Sequence, residues 1–102
     1  MHIELLYFEG CPNWHKTDAD LRALSAEFGF ELTRHLVDTP EAAERLRFRG
    51  SPTVRIDGTD PFARGDEPVG LACRIYQTPE GPAGFPATEQ LRDVISTERP
   101  GV

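Results

Sequence analysis

Ile3-Glu4-Leu5-Leu6-Tyr7-Phe8-Glu9-Gly10-Cys11-Pro12-Asn13-Trp14 carries the chain from one periodicity into another. Residues 3–8 are almost continuously apolar, which predicts a central strand buried on both faces, the habit of parallel sheets. Gly10 lets the chain turn. From residue 12 to residue 28 the spacing becomes helical, with Trp14, Thr17, Leu21, Leu24 and Phe28 on one stripe. Pro12 suits a first helical position, where its missing N–H removes no bond. Gly29 suits the left-handed position beyond a helix end. The junction thus predicts Cys11 at a helix cap, its sulfur facing unpaired N–H groups.

Outward from this junction the pattern repeats. Residues 30–37 alternate as a second strand. Asp38 and Thr39 offer caps, Pro40 a helix start, and Ala42, Ala43 and Leu46 mark a short helix that should stop near Gly50. Ser51-Pro52-Thr53-Val54-Arg55-Ile56 reads as a turn into a third strand closed by Asp57-Gly58. Residues 57–70 read as an inserted loop, 71–76 as a fourth strand, 77–86 as a loop rich in Pro and Gly, and 87–96 as a last helix burying Leu91, Val94 and Ile95. Residues 97–102 are expected to fray. The expected fold is one α/β domain over residues 1–102, with order βαβαββα and a four-stranded mixed sheet flanked by helices.

Composition narrows the function classes. In 102 residues, 38% are apolar and 27% charged, which suits a small folded domain rather than a disordered segment. The net charge of -6 opposes phosphate backbones and anionic lipid, so neither nucleic acid nor membrane is an expected partner. No apolar run approaches the roughly 20 residues that cross a bilayer, and the N-terminus has no signal-peptide pattern. The expected location is the cytoplasm, where thiols stay reduced. Two cysteines make neither a disulfide framework nor a structural zinc site. No metal or cofactor is expected.

The arrangement resembles the thioredoxin-like fold in its short, glutaredoxin-sized form. Two motifs carry the match: Gly10-Cys11-Pro12-Asn13-Trp14 after the first strand, and Ser51-Pro52-Thr53 before the third. The resemblance implies a cis Pro52 lying against Cys11. Small bacterial thioredoxin-family proteins often labelled alkylmercury lyase are similar in texture. Shared stretches are Leu5-Leu6-Tyr7-Phe8, Cys11-Pro12-Asn13, Gly50-Ser51-Pro52-Thr53, Asp57-Gly58, Asp60-Pro61-Phe62-Ala63 and Gly70-Leu71-Ala72-Cys73-Arg74-Ile75-Tyr76. One departure is plain: Trp14 stands where a dithiol motif has its second cysteine. The resemblance therefore implies monothiol chemistry.

In that reading Cys11 is the nucleophile of thiol–disulfide exchange and Pro52 shapes its site. Pro12, Asn13, Trp14, Ser51 and Thr53 are the binding surround, and a small thiol or a protein disulfide is the partner. A thiol near a helix N-terminus can fall from a pKa of about 8.5 to roughly 3.5–7.5. His15 and Lys16 favour that shift and Glu9 opposes it. Cys11 as an inert buried residue remains open beside this. Cys73 is a possible secondary thiol. If 71–76 pairs as a hairpin with the third strand, Cys73 falls roughly 10 Å down the strand, beyond the ~7 Å Cα reach of a disulfide. It then reads as core filler or as a second soft ligand for an ion such as mercury. Trp14 reads as core or as a wall over the site, and His2 and His35 as strand-surface residues. Asp57, Asp60, Asp66 and Glu67 read as a solvated loop that fits no calcium pattern. Glu89, Arg92 and Asp93 read as the wet face of the last helix. Two other functions stand beside exchange: a non-catalytic binding module, and soft-metal or organomercurial binding with Glu9 or a loop acid as proton donor.

Overall fold

A computed structural model of the chain describes residues 1–65 and 67–98. Asp66 and the last part of the expected frayed tail, residues 99–102, lie outside the described residues. β1 (His2–Tyr7) is flanked by β2 (Glu31–Leu36), which runs parallel to it, and β3 (Thr53–Ile56), which runs antiparallel, in the order β2-β1-β3. Leu5 stands opposite Arg34 on one side and Val54 on the other.

The alternation along β1 builds two cores. Ile3 and Leu5 point to the side of α1 (Trp14–Phe28) and α3 (Thr88–Glu98), meeting Leu21, Leu24, Leu91 and Ile95. Leu6 points the other way and meets Val37, Ala43 and Phe48 beside α2 (Pro40–Leu46). Burial on both faces, expected from the nearly continuous apolar run, is what β1 shows: Ile3, Leu5 and Leu6 are at most 1% exposed. α1 ends as expected, with Gly29 at φ 78° and its N–H on Ser25 O. α2 starts as expected, with Thr39 Oγ1 accepting from Ala42 N and Pro40 in the first turn. It stops earlier than Gly50. Arg47 turns left-handed at φ 55° and Phe48, N–H on Ala43 O, dives into the second core. α3 runs two residues further than expected, through Thr97 and Glu98, and its Glu89, Arg92 and Asp93 are exposed.

Among the described residues the expected four-stranded sheet is not formed. Residues 71–76 do not pair with β3. β4 (Tyr76–Thr78) and β5 (Gly81–Ala83) form a separate two-stranded antiparallel sheet, so part of the expected loop 77–86 is a hairpin. Upstream of β4 the chain runs parallel to residues 48–51 instead. Gly70 N donates to Phe48 O at 2.9 Å, Ser51 N to Ala72 O at 2.8 Å and Arg74 N to Ser51 O at 3.0 Å. Gly50 makes this approach possible. It sits at φ 105°, and a Cβ there would lie 3.0 Å from Arg74 Cβ and 3.3 Å from Ala72 O. Among the described residues no helix is long and apolar enough to cross a membrane.

Candidate functional site at Cys11 and Cys73

Three chain segments meet here. β1 delivers Phe8, whose carbonyl accepts the Cys11 N–H at 3.1 Å in a tight turn. Pro12 and Asn13 form a further turn, and α1 starts at Trp14 with Asn13 at the cap. Cys11 therefore lies two residues before the cap rather than at it. The turn closed from His15 N to Pro12 O inserts a bend between the thiol and the helix. The second segment is Ser51-Pro52-Thr53. The Ser51–Pro52 peptide is cis, and Ser51 O is 3.8 Å from Cys11 Sγ.

The third segment is the parallel strip, where Cys73 bridges to Ser51. It brings the Cys73 Cα to 5.7 Å from the Cys11 Cα, and the two cysteines form a disulfide across 62 residues of sequence. The expected separation of Cys73 is overturned. It rested on an antiparallel pairing with β3, whereas the strip pairs with the residues before Pro52 and so places Cys73 level with Ser51. Cys11 is not a lone sulfur in this structure. The two halves of the bond differ sharply in environment: Cys11 is 0% exposed, while Cys73 is exposed.

The remaining expected site residues divide. Ser51, Pro52 and Thr53 are buried. Thr53 Oγ1 donates to Gly50 O at 2.6 Å, tightening the turn. Ser51 Oγ is buried and has no hydrogen-bond partner among the described residues. Pro12 is exposed, and Asn13 packs its amide against Gly84, so neither is shown against the sulfurs. Trp14 is core, 7% exposed, stacked between Tyr7 at 4.2 Å and His15 at 3.9 Å. Little of its ring remains for a partner. Lys16 is drawn away to Asp20 at 2.6 Å and to Thr88, and Glu9 is exposed. His2 contacts Glu31 and Thr33 on the surface of the sheet, and His35 lies 4.0 Å from Glu4.

Residues outside the expected site hold its third segment in place. Arg74, 4% exposed, donates from Nη1 to Asp60 Oδ2 at 2.6 Å and to Thr53 Oγ1 at 3.4 Å. It lies 3.9 Å from Glu67 and over the Tyr76 ring at 4.7 Å. The Tyr76 hydroxyl donates to Pro52 O. Asp60 and Glu67 are thus not members of a solvated loop. They fold inward because a guanidinium at this depth needs carboxylates. Asp57 instead accepts the His2 N–H at 2.9 Å.

Burial disfavours the charge on Arg74, yet the Asp60 hydrogen bond and the surrounding charges hold its pKa above the ordinary value. Burial pushes the Tyr76 phenol up, so it stays a neutral donor. Burial likewise disfavours ionised Glu67, but the N–H groups of Arg64, Glu67 itself and Gly65, with the charge of Arg74, hold it below the usual carboxylate range. A signal for this network was present in the sequence: an arginine inside an apolar run calls for a buried acid, and Asp60 stands upstream.

Against protein-family models, curated proteins and solved structures, the chain finds no match. Among the described residues, no group of three or more His, Cys, Asp or Glu side chains is placed to hold a metal ion. Once the disulfide is reduced, two thiols remain as soft ligands. Chemically, the site offers an S–S bond between one exposed and one buried cysteine, set beside a buried turn.

Proposed function

We propose that the chain is a thioredoxin-like protein of thiol–disulfide exchange whose redox couple is Cys11 with Cys73. The carrying observation is the pairing itself: two cysteines 62 residues apart, held with their Cα atoms 5.7 Å apart by a backbone ladder. Further support comes from the layout. A cysteine follows the first strand, a parallel and then an antiparallel neighbour flank that strand, and a cis Ser51–Pro52 turn leads into the third. A two-cysteine cycle replaces the monothiol cycle that Trp14 implied, because the second thiol of the couple comes from a distant strip instead of the next helical turn. The partner is a small thiol or a protein disulfide. A cytoplasmic location suits this reading, since disulfides in reducing compartments are mostly transient and catalytic or redox-sensing.

The test is equilibration of the folded protein in buffers of graded thiol-to-disulfide ratio, quenched by alkylation and weighed intact. The expected result is two thiols appearing together in one two-electron step, with Cys11→Ser or Cys73→Ser abolishing that step. A bond that opens only in denaturant would make the disulfide purely structural and end the proposal. The same 5.7 Å spacing favours one second reading: the reduced pair binds a thiophilic ion such as mercury(II). One-to-one mercury binding that survives Cys73→Ser would remove it.

A further inference from the structure

We infer that Cys73, not Cys11, is the sulfur through which the couple exchanges with low-molecular-weight thiols and disulfides; this rests on the reading that the couple exchanges at all. Displacement at a disulfide is in line. The incoming thiolate approaches the attacked sulfur from the side opposite the leaving sulfur. Attack on Cys11 would need a path to a residue that is 0% exposed. Cys73 is exposed and lines a cavity of about 260 Å³ with Arg49, Glu67, Pro68, Ala72 and Ile75. The wall is largely apolar, and Ile75 is itself 64% exposed. Arg49, 3.9 Å from Glu67, supplies a cation at the same cavity. Arg74 also lines it, already engaged with Asp60.

The cycle balances without any further reagent. An external thiolate attacks Cys73 Sγ, the Cys73–Cys11 bond breaks, and the electron pair leaves on Cys11, which takes up a proton. A second external thiolate attacks the external sulfur of the mixed disulfide and releases an external disulfide and the Cys73 thiolate. Two thiols are oxidised and the protein gains two electrons. In reverse, the Cys73 thiolate opens an external disulfide and Cys11 resolves the mixed disulfide. Arg49 and Arg74 favour the Cys73 thiolate and Glu67 opposes it. The attacking sulfur differs from the one the sequence suggests, in which Cys11 attacks and an external thiol resolves.

Limiting iodoacetamide on the reduced, folded wild-type protein, mapped by peptide mass, reads the two thiols without any substitution. Cys73 is expected to be labelled at least tenfold faster than Cys11. With oxidised glutathione, Cys11→Ser is expected to trap a mixed disulfide on Cys73, and Cys73→Ser to trap at least tenfold less on Cys11. Faster labelling or trapping at Cys11 overturns the inference. If wild-type protein still equilibrates in thiol buffers in that case, the exchange function survives and only the assignment of the sulfur falls. If it does not equilibrate, both fall.

Discussion

Reduction of the Cys11–Cys73 bond is expected to lower the free energy of unfolding by about 4 kcal/mol. The bond closes a loop of 62 residues, and the chain-entropy relation for a cross-link of that span gives roughly 14 cal/mol/K, or about 4 kcal/mol at room temperature. The effect lies in the unfolded chain, which loses freedom when its ends are tied. In urea, with a slope of about 1.5 kcal/mol/M, the midpoint should fall by roughly 3 M on reduction. The reduced protein should also show the steeper slope, because its unfolded chain exposes more surface. Whatever the bond adds to folding, the fold returns as a preference for the bond. About 4 kcal/mol corresponds to a roughly thousandfold greater tendency to oxidise in the folded protein than in the unfolded one. The assay is paired urea titrations of oxidised and reduced protein, followed by tryptophan fluorescence from Trp14, with alkylation to verify the state. A gap under about 1 kcal/mol, against the chain-entropy figure, would refute the reasoning. It would mean either that the unfolded chain keeps residues 11 and 73 together or that oxidation strains the folded strip.

Three further outcomes test the scaffold around the bond. Gly50→Ala should cost about 1–3 kcal/mol of oxidised-state stability, because the site combines φ 105° with a 3.0 Å approach to Arg74 Cβ; an unchanged urea midpoint counts against a close strip. Asp60→Asn should cost about 3 kcal/mol, the low end for breaking a buried pair, since Arg74 keeps Glu67 at 3.9 Å and Thr53 at 3.4 Å. Adding Arg74→Met should recover more than half of that loss, and an additive double variant would show that the pair is not coupled. Glu67 has a folded-state pKa below its unfolded value, so its contribution is complete above the unfolded carboxylate pKa and is lost as pH falls through the folded one. Stability measured against pH should therefore drop on the acid side of the ordinary carboxylate range, and Glu67→Gln should flatten that limb; identical acid limbs in both proteins would contradict the assignment.

Much of the fold can be read from local pattern. The nearly continuous apolar run at residues 3–8 has Ile3 and Leu5 on one core and Leu6 on the other. The stripe through Leu21 and Leu24 packs on the same side as Leu91 and Ile95. Gly29 and Thr39 terminate and start helices where their chemistry suits. Those features depend on neighbours a few residues away. The strip at 71–76 does not. Cys73 read as core filler would face inward, yet Arg74 and Tyr76 are buried while Cys73 and Ile75 are exposed. From residue 73 to residue 76 the alternation is present with its sign reversed, because Arg74 reaches Asp60 and Tyr76 reaches the Pro52 carbonyl. Such partners have no periodicity to betray them, and a reversal of one residue flips every side chain of a strip.

That reversal is what gives the site its chemistry. If the apolar side of the strip faced the core, Cys73 would be sealed among aliphatic side chains and its sulfur would serve packing alone. With Arg74 drawn in by Asp60 and Glu67, its neighbours Cys73 and Ile75 are turned outward, and Cys73 meets solvent on one side and Cys11 on the other. The ion pair, made by the residue that follows Cys73, therefore sets which cysteine of the disulfide is exposed. Trp14 fits the same logic. With no second cysteine on the first turn of α1, the tryptophan there can pack against Tyr7 and His15, and the second sulfur of the disulfide arrives on another segment. The strip beside Gly50 supplies it, and the buried arginine holds that strip in the orientation that keeps Cys73 exposed.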